Sequence, residues 1–466
     1  MPRASLASPP TYVSYANAVD TLKAGYAAIP AGSPVRLAKR TSNLFRGRTP
    51  TETPGLDVSA FSGVLEVDTD ARTADVLGMT TYEDLVAATL PHGLVPLCVP
   101  QLRTITLGGA VTGLGIESAS WRNGCPHESV IELDILTGDG RVVTATATNE
   151  HSDLFAGFPN SYGSLGYALR LKIELEPVTK YMALRHVPCG DAESLASAIA
   201  EVTRDGFYAG ERVDYIDGTV FSDSESYLTL ASYTDDPNQA PSDYTGNQIY
   251  YRSIRSRHSD VLSMLDYLWR WDTDWFWCSR AFGAQRPLIR RLWPKHLLRS
   301  DVYWKLVALD RRTSFSARLG AARRQPPREQ VVQDIEVPVE ALPEFLEFFH
   351  REVGIEPVWV CPLRQRDSSA RWPLYELDPA TTYVNVGFWS TVAVPPGVDP
   401  AEGRVNRRIE EVVTALGGRK SLYSTAFYDR EEFARLYGGD TYNHLRSTYD
   451  PEGRLSDMWT KTVRSG

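Results

Sequence analysis

Residues 100–124 read PQLRTITLGGAVTGLGIESASWRNG, and a threonine followed by four glycines within ten residues stands out in the middle of this stretch. These residues are Thr106, Gly108, Gly109, Gly113 and Gly115. Glycine is needed where the backbone must approach a ligand closely or adopt a positive φ, and successive backbone N–H groups in such a loop form a nest for a phosphate. We therefore predict that this stretch contacts a phosphate group. The alternative is a glycine-rich turn without a ligand.

A second loop of small residues, NSYGSLG, occupies residues 160–166 and contains Gly163 and Gly166. Between the two loops, the segment VIELDILTGDGRVVTATA (130–147) has the alternation and the central turn of a β-hairpin. Two small-residue loops that flank a hairpin resemble the pyrophosphate-binding half of the vanillyl-alcohol oxidase/p-cresol methylhydroxylase (PCMH) family of FAD-linked oxidoreductases. The resemblance implies that both loops contact the FAD pyrophosphate.

The composition argues against several classes of protein. The chain has 466 residues, which is room for two or three domains, and a formal net charge of −9, which argues against nucleic-acid binding. Its five cysteines are scattered without a CxxC pair and no HExxH occurs, so we expect a reducing cytoplasm and no metal site. Residues 1–30 lack the apolar core of a signal peptide, and no apolar stretch has the length of a membrane-spanning helix.

The spacing of apolar residues predicts an α+β fold. It indicates a helix over residues 12–28, a hairpin over 63–79 and a helix over 80–93. Later segments predict a strand and helix over 331–354 and a helix over 404–416.

The composition also suggests domain boundaries, because it changes after Pro177. We place a cofactor domain at residues 1–178, a substrate domain at 179–430 and a terminal segment at 431–466.

Further segments resemble the Δ24-sterol reductase (diminuto-like) branch of the flavin family over nearly the full length. They are GIES (115–118), SDLF (152–155), VVQD (331–334), PVWVCP (357–362) and REEF (430–433). A closer likeness is to actinobacterial enzymes that reduce the methylene group of 10-methylene fatty acyl chains to a 10-methyl branch. The segments that carry this likeness are VRLAKRTSNLFR, TITLGGAVTGLGIESAS and DYLWRWDTDWFWCSRAFGAQ.

The resemblance implies a two-part PCMH-type FAD-binding domain, an α+β substrate domain and a C-terminal segment that returns to the flavin. It suggests additional cofactor contacts for Thr41, Ser42, Asn43, Glu117, Ser118, Tyr442 and Asn443. Capping or helix-end roles are the alternatives for the last four. Some members of the family attach the flavin through a histidine in the loop after the first strand, where this chain has Asn43, so we expect non-covalent FAD. No GxGxxG stands between a strand and a helix, so NADPH as electron donor would dock transiently.

The segment DYLWRWDTDWFW (266–277) holds four of the eleven tryptophans. An isolated C=C bond is not polarised, so the expected route protonates its less substituted carbon and leaves a tertiary cation that accepts hydride from reduced flavin. Tryptophan faces stabilise a cation, and a buried carboxyl keeps its proton near neutral pH. We predict that the acid is Asp272, Asp274 or Tyr267, followed by Glu117 and Tyr442. Pairing of Arg270 with one of the aspartates, and a merely buried helix, are competing interpretations.

Residues 281–330 contain twelve Lys or Arg and three acids, although the whole chain carries −9. Trp293, Tyr303 and Trp304 are interleaved with them. Basic side chains near an anionic leaflet contribute about 1 kcal/mol each, and tryptophan prefers the bilayer interface. We predict that the region 251–330 docks on the inner face of the plasma membrane. A solvated surface and a nucleic-acid patch are the alternatives, but no nucleic-acid recognition module is visible.

The leading interpretation is an FAD-dependent, NADPH-driven reductase of 10-methylene acyl chains in phospholipids, with a methyltransferase as the partner that supplies the methylene lipid. The alternatives are a Δ24-sterol-type reductase, an FAD-linked oxidase of alcohols or sugars, and a flavin-bound membrane scaffold with little turnover.

Overall fold

Two large antiparallel sheets organise the fold, as a computed structural model of the chain shows. The structure describes residues 10–39, 45–46, 55–313 and 326–463. Helices and antiparallel strands are both abundant in these ranges, so the predicted α+β class is confirmed.

The first sheet is built from the N-terminal part of the chain. Its strands are β1 (Val64–Asp68), β2 (Thr73–Leu77), β3 (Leu94–Pro96), β4 (Val130–Leu136), β5 (Val142–Thr146) and β6 (Tyr167–Pro177). The path through the sheet is β1-β2-β6-β4-β5, and β3 pairs with the end of β6. The long strand β6 is therefore central, and the hairpins β1–β2 and β4–β5 lie on either side of it.

Helices cover both faces of this first sheet. They are α1 (Tyr12–Ala27), α2 (Tyr82–Thr89), α3 (Leu107–Gly113), α4 (Ser120–Asn123) and α5 (Ser152–Gly157). Helix α1 begins at a capping box formed by Thr11 and Ser14, and it buries Leu22 and Tyr26 against one face. Helix α3 begins at Thr106, whose hydroxyl accepts a hydrogen bond from the N–H of Gly109. The glycine-rich segment, which we define as residues 100–124, therefore contains a short helix that follows an extended stretch of chain.

The second sheet follows directly, because β6 ends at Pro177 and the next strand begins at Tyr181. Its order is β12-β7-β11-β10-β14-β15-β13-β16, and β8 and β9 form a separate small hairpin. The strands are β7 (Tyr181–Pro188), β8 (Phe207–Tyr208), β9 (Glu211–Arg212), β10 (Tyr215–Ser222), β11 (Glu225–Thr234), β12 (Ser259–Ser263), β13 (Arg328–Pro338), β14 (Val358–Leu363), β15 (Tyr383–Ala393) and β16 (Arg419–Lys420).

Helices of the second half cover one face of this sheet and connect it to the first half. They are α6 (Ala192–Asp205), α7 (Tyr250–Ser253), α8 (Met264–Leu268), α9 (Pro287–Leu292), α10 (Ser300–Thr313), α11 (Leu342–Glu352), α12 (Arg404–Ala415), α13 (Arg430–Leu436), α14 (Gly439–Tyr449) and α15 (Met458–Thr462). Apolar residues of α6, α11 and α12 form one core with one face of the sheet. Its other face shares a continuous core with the first half.

The terminal segment returns to the N-terminal half. The N–H of Val35 donates to the carbonyl of Arg454 at 2.8 Å, and the N–H of Asp139 donates to the carbonyl of Tyr449 at 3.2 Å. Lys461, in α15, donates to the carbonyl of Gly163 at 2.7 Å. The last residues described therefore lie against the second glycine loop.

The aromatic segment 266–277 is not one helix, so the helical interpretation of it is wrong. Helix α8 ends at Leu268, a 3₁₀ turn follows at Asp272–Asp274, and Trp275 and Phe276 have φ angles of 46° and 57°. Such positive φ angles are rare for bulky residues and cost about 1–3 kcal/mol each. Ring packing holds this geometry: the centroid of Phe276 lies 4.4 Å from that of Trp389.

A buried ion pair ties the aromatic segment to the second sheet. The guanidinium of Arg270 donates to the carboxylate of Asp217 on β10 at 2.8 Å, and both side chains are 1% exposed. The indole N–H groups of Trp271 and Trp359 donate to the same carboxylate oxygen. Arg270 also donates to the hydroxyl of Ser118, in the glycine-rich segment, at 2.6 Å. Arg270 thus pairs with an aspartate outside its own segment.

Replacing Asp217 with asparagine should strongly destabilise the protein. The variant leaves the buried guanidinium of Arg270 without its anionic partner, and breaking such a pair costs about 3–5 kcal/mol. We expect a clear fall in the midpoint of urea unfolding. Asp243→Asn is the control, because Asp243 pairs with Lys295 at 2.8 Å on the surface, where a pair contributes at most about 1 kcal/mol. Equal losses of stability in the two variants would contradict a special role for the buried pair.

Candidate functional site

A cavity of about 600 Å³ lies where the loops of the first sheet meet the aromatic segment and the second sheet. This volume is within the range of about 300–1,000 Å³ that is usual for ligand sites. Its wall includes parts of the glycine-rich segment, the second glycine loop, β13 to β15, and the terminal segment. Residues distant in sequence therefore converge on one cavity.

The glycine-rich segment forms one wall of the cavity. The residues predicted there all line it: Thr106, Gly108, Gly109, Gly113 and Gly115. A Cβ atom on Gly108 would lie 2.7 Å from the carbonyl oxygen of Gly78, and one on Gly115 would lie 3.0 Å from Pro100. These two glycines are thus required by packing between the helix, the sheet and the neighbouring loop.

Gly109 differs from the other glycines of this wall. A Cβ atom there would meet the hydroxyl of Thr106 at 2.8 Å and then the amine of Lys39 at 3.8 Å. The amine of Lys39 donates to the same hydroxyl at 2.9 Å. Any side chain at Gly109 would therefore occupy the space beside Thr106 and Lys39 that a bound group would use.

The second loop lies next to the first and is bonded to it. Gly163 and Gly166 line the cavity, with φ angles of 72° and 147° that favour glycine. The N–H of Tyr162 donates to the carbonyl of Thr112 at 2.8 Å, and its hydroxyl donates to the carbonyl of Gly113 at 2.5 Å. The two loops that the sequence singles out therefore form one continuous surface. Three predicted contacts, Thr41, Ser42 and Asn43, lie outside the described residues.

Four basic side chains that the sequence patterns did not single out also line the cavity. They are Arg36, Lys39, Arg46 and Lys461. The guanidinium of Arg46 lies 4.6 Å from the ring centroid of Tyr162, on the second glycine loop. The KR pair at 39–40, directly before the loop of Thr41, was a usable signal for Lys39. Nothing local marks Lys461, because the fold of the terminal segment brings it here.

Aromatic rings form another part of the wall. Trp275 and Phe276 line the cavity together with Trp359, Trp389 and Tyr423. The indole N–H of Trp389 donates to the hydroxyl of Tyr423 at 2.8 Å, which fixes both rings. The unusual backbone at residues 275 and 276 directs these two side chains into the cavity.

The acids of the aromatic segment do not line the cavity, which corrects the prediction for them. Asp272 is fully buried, and it accepts from the guanidinium of Arg103 at 2.7 Å and from the hydroxyl of Ser300 at 2.5 Å. Asp274 accepts two hydrogen bonds from Arg290, at 2.5 and 3.0 Å. Both carboxyl groups are bound by arginines behind the wall, and neither faces the cavity.

Tyr267 also lies away from the cavity. Its ring packs under the guanidinium of Arg270, with 3.9 Å between the guanidinium carbon and the ring centroid. Burial raises the pKa of its hydroxyl well above the ordinary value. Tyr267 therefore supports the buried pair and does not face the cavity.

Glu117 and Ser118 lie behind the glycine-rich wall. Glu117 is 2% exposed and accepts from the N–H of Ala119 at 2.7 Å, while Ser118 accepts from Arg270. Burial raises the pKa of Glu117 to about 8. Neither residue lines the cavity. For Glu117 the alternative expectation of a capping role fits, because its carboxyl group accepts a hydrogen bond at the start of α4.

Tyr442 and Asn443 are likewise outside the cavity wall. The hydroxyl of Tyr442 accepts from the N–H of Met458 at 2.9 Å, and Asn443 is exposed. The terminal segment contributes other residues to the wall: Ser456, Thr460 and Lys461.

One acidic side chain lines the described part of the cavity, and it is Asp334 on β13. Its cross-strand neighbour is Gly387, and a Cβ atom there would overlap the carboxyl oxygen Oδ1. Burial raises the pKa of Asp334 to about 7. In the sequence this residue stood out only as part of the segment VVQD, a mark of resemblance, and it was missed as a candidate acid.

Comparison with known proteins agrees with this geometry. Residues 10–146 match the family described as FAD binding domain. The chain is similar to Delta(24)-sterol reductase of Arabidopsis thaliana, 24% identical over 441 residues, which is 88% of this chain and 76% of that protein. Delta(24)-sterol reductase of Homo sapiens is 24% identical over 418 residues, 86% of this chain and 76% of that protein. Cytokinin dehydrogenase 10 of Oryza sativa subsp. japonica is 28% identical over 156 residues, 34% of this chain and 28% of that protein.

The cavity residues fit FAD. The basic side chains and the two glycine loops match the charge of a pyrophosphate, while the aromatic wall matches a flat ring system. Gln101 lines the cavity at 4% exposure, and neither polar atom of its amide has a hydrogen-bond partner among the described residues. An unsatisfied buried amide of this kind is expected where a polar ligand edge binds.

A valine at position 109 should prevent FAD binding without unfolding the protein. Its methyl groups would enter the space beside Thr106 and Lys39. We expect the ratio of FAD to protein to fall several-fold, while the unfolding midpoint stays near that of the apo wild type. Gly25→Ala is the control, because a Cβ there meets only Leu56 at 3.5 Å, an ordinary contact.

Acid precipitation of the purified protein tests whether FAD is covalently attached. No His or Cys stands among the described residues that line the cavity, so acid precipitation should release all wild-type FAD into the supernatant. Flavin that remains in the pellet, or a full flavin complement in Gly109→Val, would contradict the assignment.

Proposed function

The chain is an FAD-dependent oxidoreductase of the vanillyl-alcohol oxidase/PCMH superfamily and belongs to its Δ24-sterol reductase-like branch, and from this premise we propose its substrate. It reduces a carbon–carbon double bond, as the branch does. The bond is the 10-methylene group of a fatty acyl chain carried by a phospholipid, and the product is the 10-methyl branched chain. NADPH is the electron source. A methyltransferase supplies the methylene lipid.

The observation that carries this proposal is the aromatic wall of the cavity. An isolated alkene offers no polarised carbon, so the chain must protonate the bond and then hold a positive charge at the more substituted carbon. The faces of Trp275, Trp359 and Trp389 are suited to that charge, because tryptophan is the best aromatic partner for a cation. FAD, when bound and reduced, supplies the hydride that completes the reduction.

A terminal methylene suits this route better than most alkenes. Its protonation at the CH₂ carbon gives a tertiary cation, the same class of cation that a Δ24-sterol alkene gives. A Δ24-sterol is therefore the alternative substrate. An alcohol or sugar oxidase needs a base and a polar pocket, whereas the described cavity wall here presents one carboxyl among several aromatic rings.

Stepwise reduction and reoxidation of the flavin would test the proposed activity. Under anaerobic conditions NADPH should bleach the flavin, and phospholipid vesicles that contain a 10-methylene octadecanoyl chain should restore its colour. Mass spectrometry of the extracted lipid should show a gain of two hydrogens per turnover. A Δ24-sterol in the same vesicles and a primary alcohol are the comparison substrates. Faster reoxidation by the sterol would transfer the proposal to the alternative, and reoxidation by the alcohol would overturn it.

We also propose that the protein docks on an anionic bilayer through α9 and the residues beside it. Helix α9 exposes Leu288 at 79% and Leu292 at 83%. The basic side chains of Arg286 and Arg291 are exposed on or beside the same short helix, and exposed Lys295, which pairs with Asp243, follows it. Exposed apolar side chains near cations are complementary to the inner leaflet of the plasma membrane, which supplies both an apolar layer and negative charge.

The structure reduces the number of residues in the region 251–330 that could contact a membrane. Arg290 is 4% exposed and pairs with Asp274, so it does not face a membrane. Tyr303 is fully buried, and Trp293 and Trp304 are half-buried against the core. Arg323 and Arg324 lie outside the described residues. No helix in the described part of the chain is long and apolar enough to span a bilayer.

Removal of charge from this surface should weaken vesicle binding. For Arg286→Gln with Arg291→Gln, about 1 kcal/mol per residue predicts roughly 30-fold weaker binding to anionic vesicles. Wild-type binding should also weaken with added salt, because screening shortens the reach of the charges. Arg351→Gln with Arg408→Gln removes the same charge from exposed positions on α11 and α12 and should change little. Equal losses of vesicle binding in the two double variants would show that binding depends on the net charge of the protein and not on this surface.

A further inference from the structure

Asp334 occupies an unusual position in the cavity. It is the one acid among the described residues of the wall, beside Trp389 and Tyr423, which also line it. Its oxygen Oδ1 is buried and accepts no hydrogen bond from any described residue. Burial of a carboxyl disfavours the charged form. The carboxyl is therefore held in the state that can donate a proton.

A second buried carboxyl, that of Glu336, lies near Asp334 on the same strand. Glu336 lies two residues along β13, so the two side chains share one face of the strand. Glu336 is fully buried and accepts hydrogen bonds from the hydroxyls of Tyr375 and Ser421. Burial and the neighbouring Asp334 raise the pKa of Glu336 to about 8. Ionised Asp334 therefore opposes ionisation of Glu336, because two like charges at one site are unfavourable.

The polar groups that face Asp334 from neighbouring elements are neutral. Tyr423 and Tyr162 are phenols whose pKa values burial raises above the ordinary range. On the facing strand, Asn385 is neutral and Gly387 has no side chain. Asn385 and Tyr423 stabilise the carboxylate somewhat, but burial outweighs them and the pKa of Asp334 stays raised.

The acids of the aromatic segment differ from Asp334 in their position. Asp272 and Asp274 lie behind the wall and are bound by Arg103 and Arg290. Asp334 lies on the wall itself, where burial raises its pKa to about 7.

We propose that Asp334 is the catalytic acid that delivers the proton to the alkene. This inference rests on the proposed function. In the step, the O–H bond of Asp334 breaks and the π pair of the alkene forms a C–H bond at the less substituted carbon. The more substituted carbon, now positive, receives the hydride that reduced FAD supplies, so the flavin loses two electrons. Solvent then returns a proton to the carboxylate.

Asp334→Asn should separate the two halves of the reaction. Reduction of the flavin by NADPH should proceed as in the wild type, because it needs no proton from this carboxyl. Reoxidation by the alkene should slow by about 10²–10⁴-fold, the usual effect of losing a proton donor. In the wild type the reoxidation rate should be level below pH 7 and fall above it, because the donor form is lost as pH rises through the pKa of about 7.

Binding of a cationic lipid gives a readout that needs no turnover. A long-chain tertiary amine with its nitrogen at the branch position carries the charge of the proposed intermediate. The oxidised holoenzyme should bind it about tenfold more tightly at pH 8 than at pH 6, as a group with a pKa near 7 ionises. Asp334→Asn should remove this pH dependence, as measured by titration calorimetry. Asp334→Ser is the second variant, and FAD absorbance with thermal melting establishes that each variant is folded and loaded.

Asp223→Asn is the matched control, because Asp223 lies exposed in the turn between β10 and β11 and should behave as the wild type in both assays. Reoxidation of Asp334→Asn within a few-fold of the wild type, or an unchanged pH dependence of amine binding, would overturn the assignment. If no alkene reoxidises the wild type, the proposed function fails, and amine binding still decides whether Asp334 faces a cation in the cavity.

Discussion

The buried pair between Asp217 and Arg270 is the interaction on which the site depends. It joins three parts of the chain, because Asp217 belongs to the second sheet, Arg270 to the aromatic segment, and its partner Ser118 to the glycine-rich segment. Two buried charges cost several kcal/mol each to remove from water, and hydrogen bonds to Asp217 from two indoles offset part of this cost. The pair therefore acts as a joint between the glycine-rich wall of the cavity and the second sheet.

The aromatic wall follows from that joint. With Arg270 and Trp271 held by Asp217, the chain turns sharply, and the next residues adopt positive φ angles at Trp275 and Phe276. The same turn places Asp272 and Asp274 on the inner side, where Arg103 and Arg290 neutralise them. The strained backbone thus presents rings to the cavity and keeps the carboxylates of the segment away from it. Strain of this kind persists only where packing imposes it, which is common at functional sites.

The sequence predicted much of the fold, and it did so where local patterns decide structure. The helix predicted at 12–28 is observed at Tyr12–Ala27, and the hairpin predicted at 63–79 is observed as β1 and β2. The glycine loops were located because glycine is locally required by close packing and positive φ. The acids were misplaced because the pairing of Asp272 with Arg103 and of Asp274 with Arg290 depends on tertiary contacts. Asp334 was missed as an acid because a single aspartate in an alternating strand looks like a solvent-facing residue until the neighbouring β15 and the cavity are known.

The distribution of charge in the cavity explains how one space serves two chemical tasks. Binding a pyrophosphate needs cations, and the described wall supplies Arg36, Lys39, Arg46 and Lys461. Protonating an alkene needs an acid that stays neutral, and a cation paired with that acid would draw its proton away by stabilising the carboxylate. The chain meets both needs in one cavity, because Arg103 and Arg290 bind Asp272 and Asp274 behind the wall and Asp334 is the acid of the described wall, among aromatic rings. Burial there raises the pKa of Asp334, so the carboxyl can keep its proton.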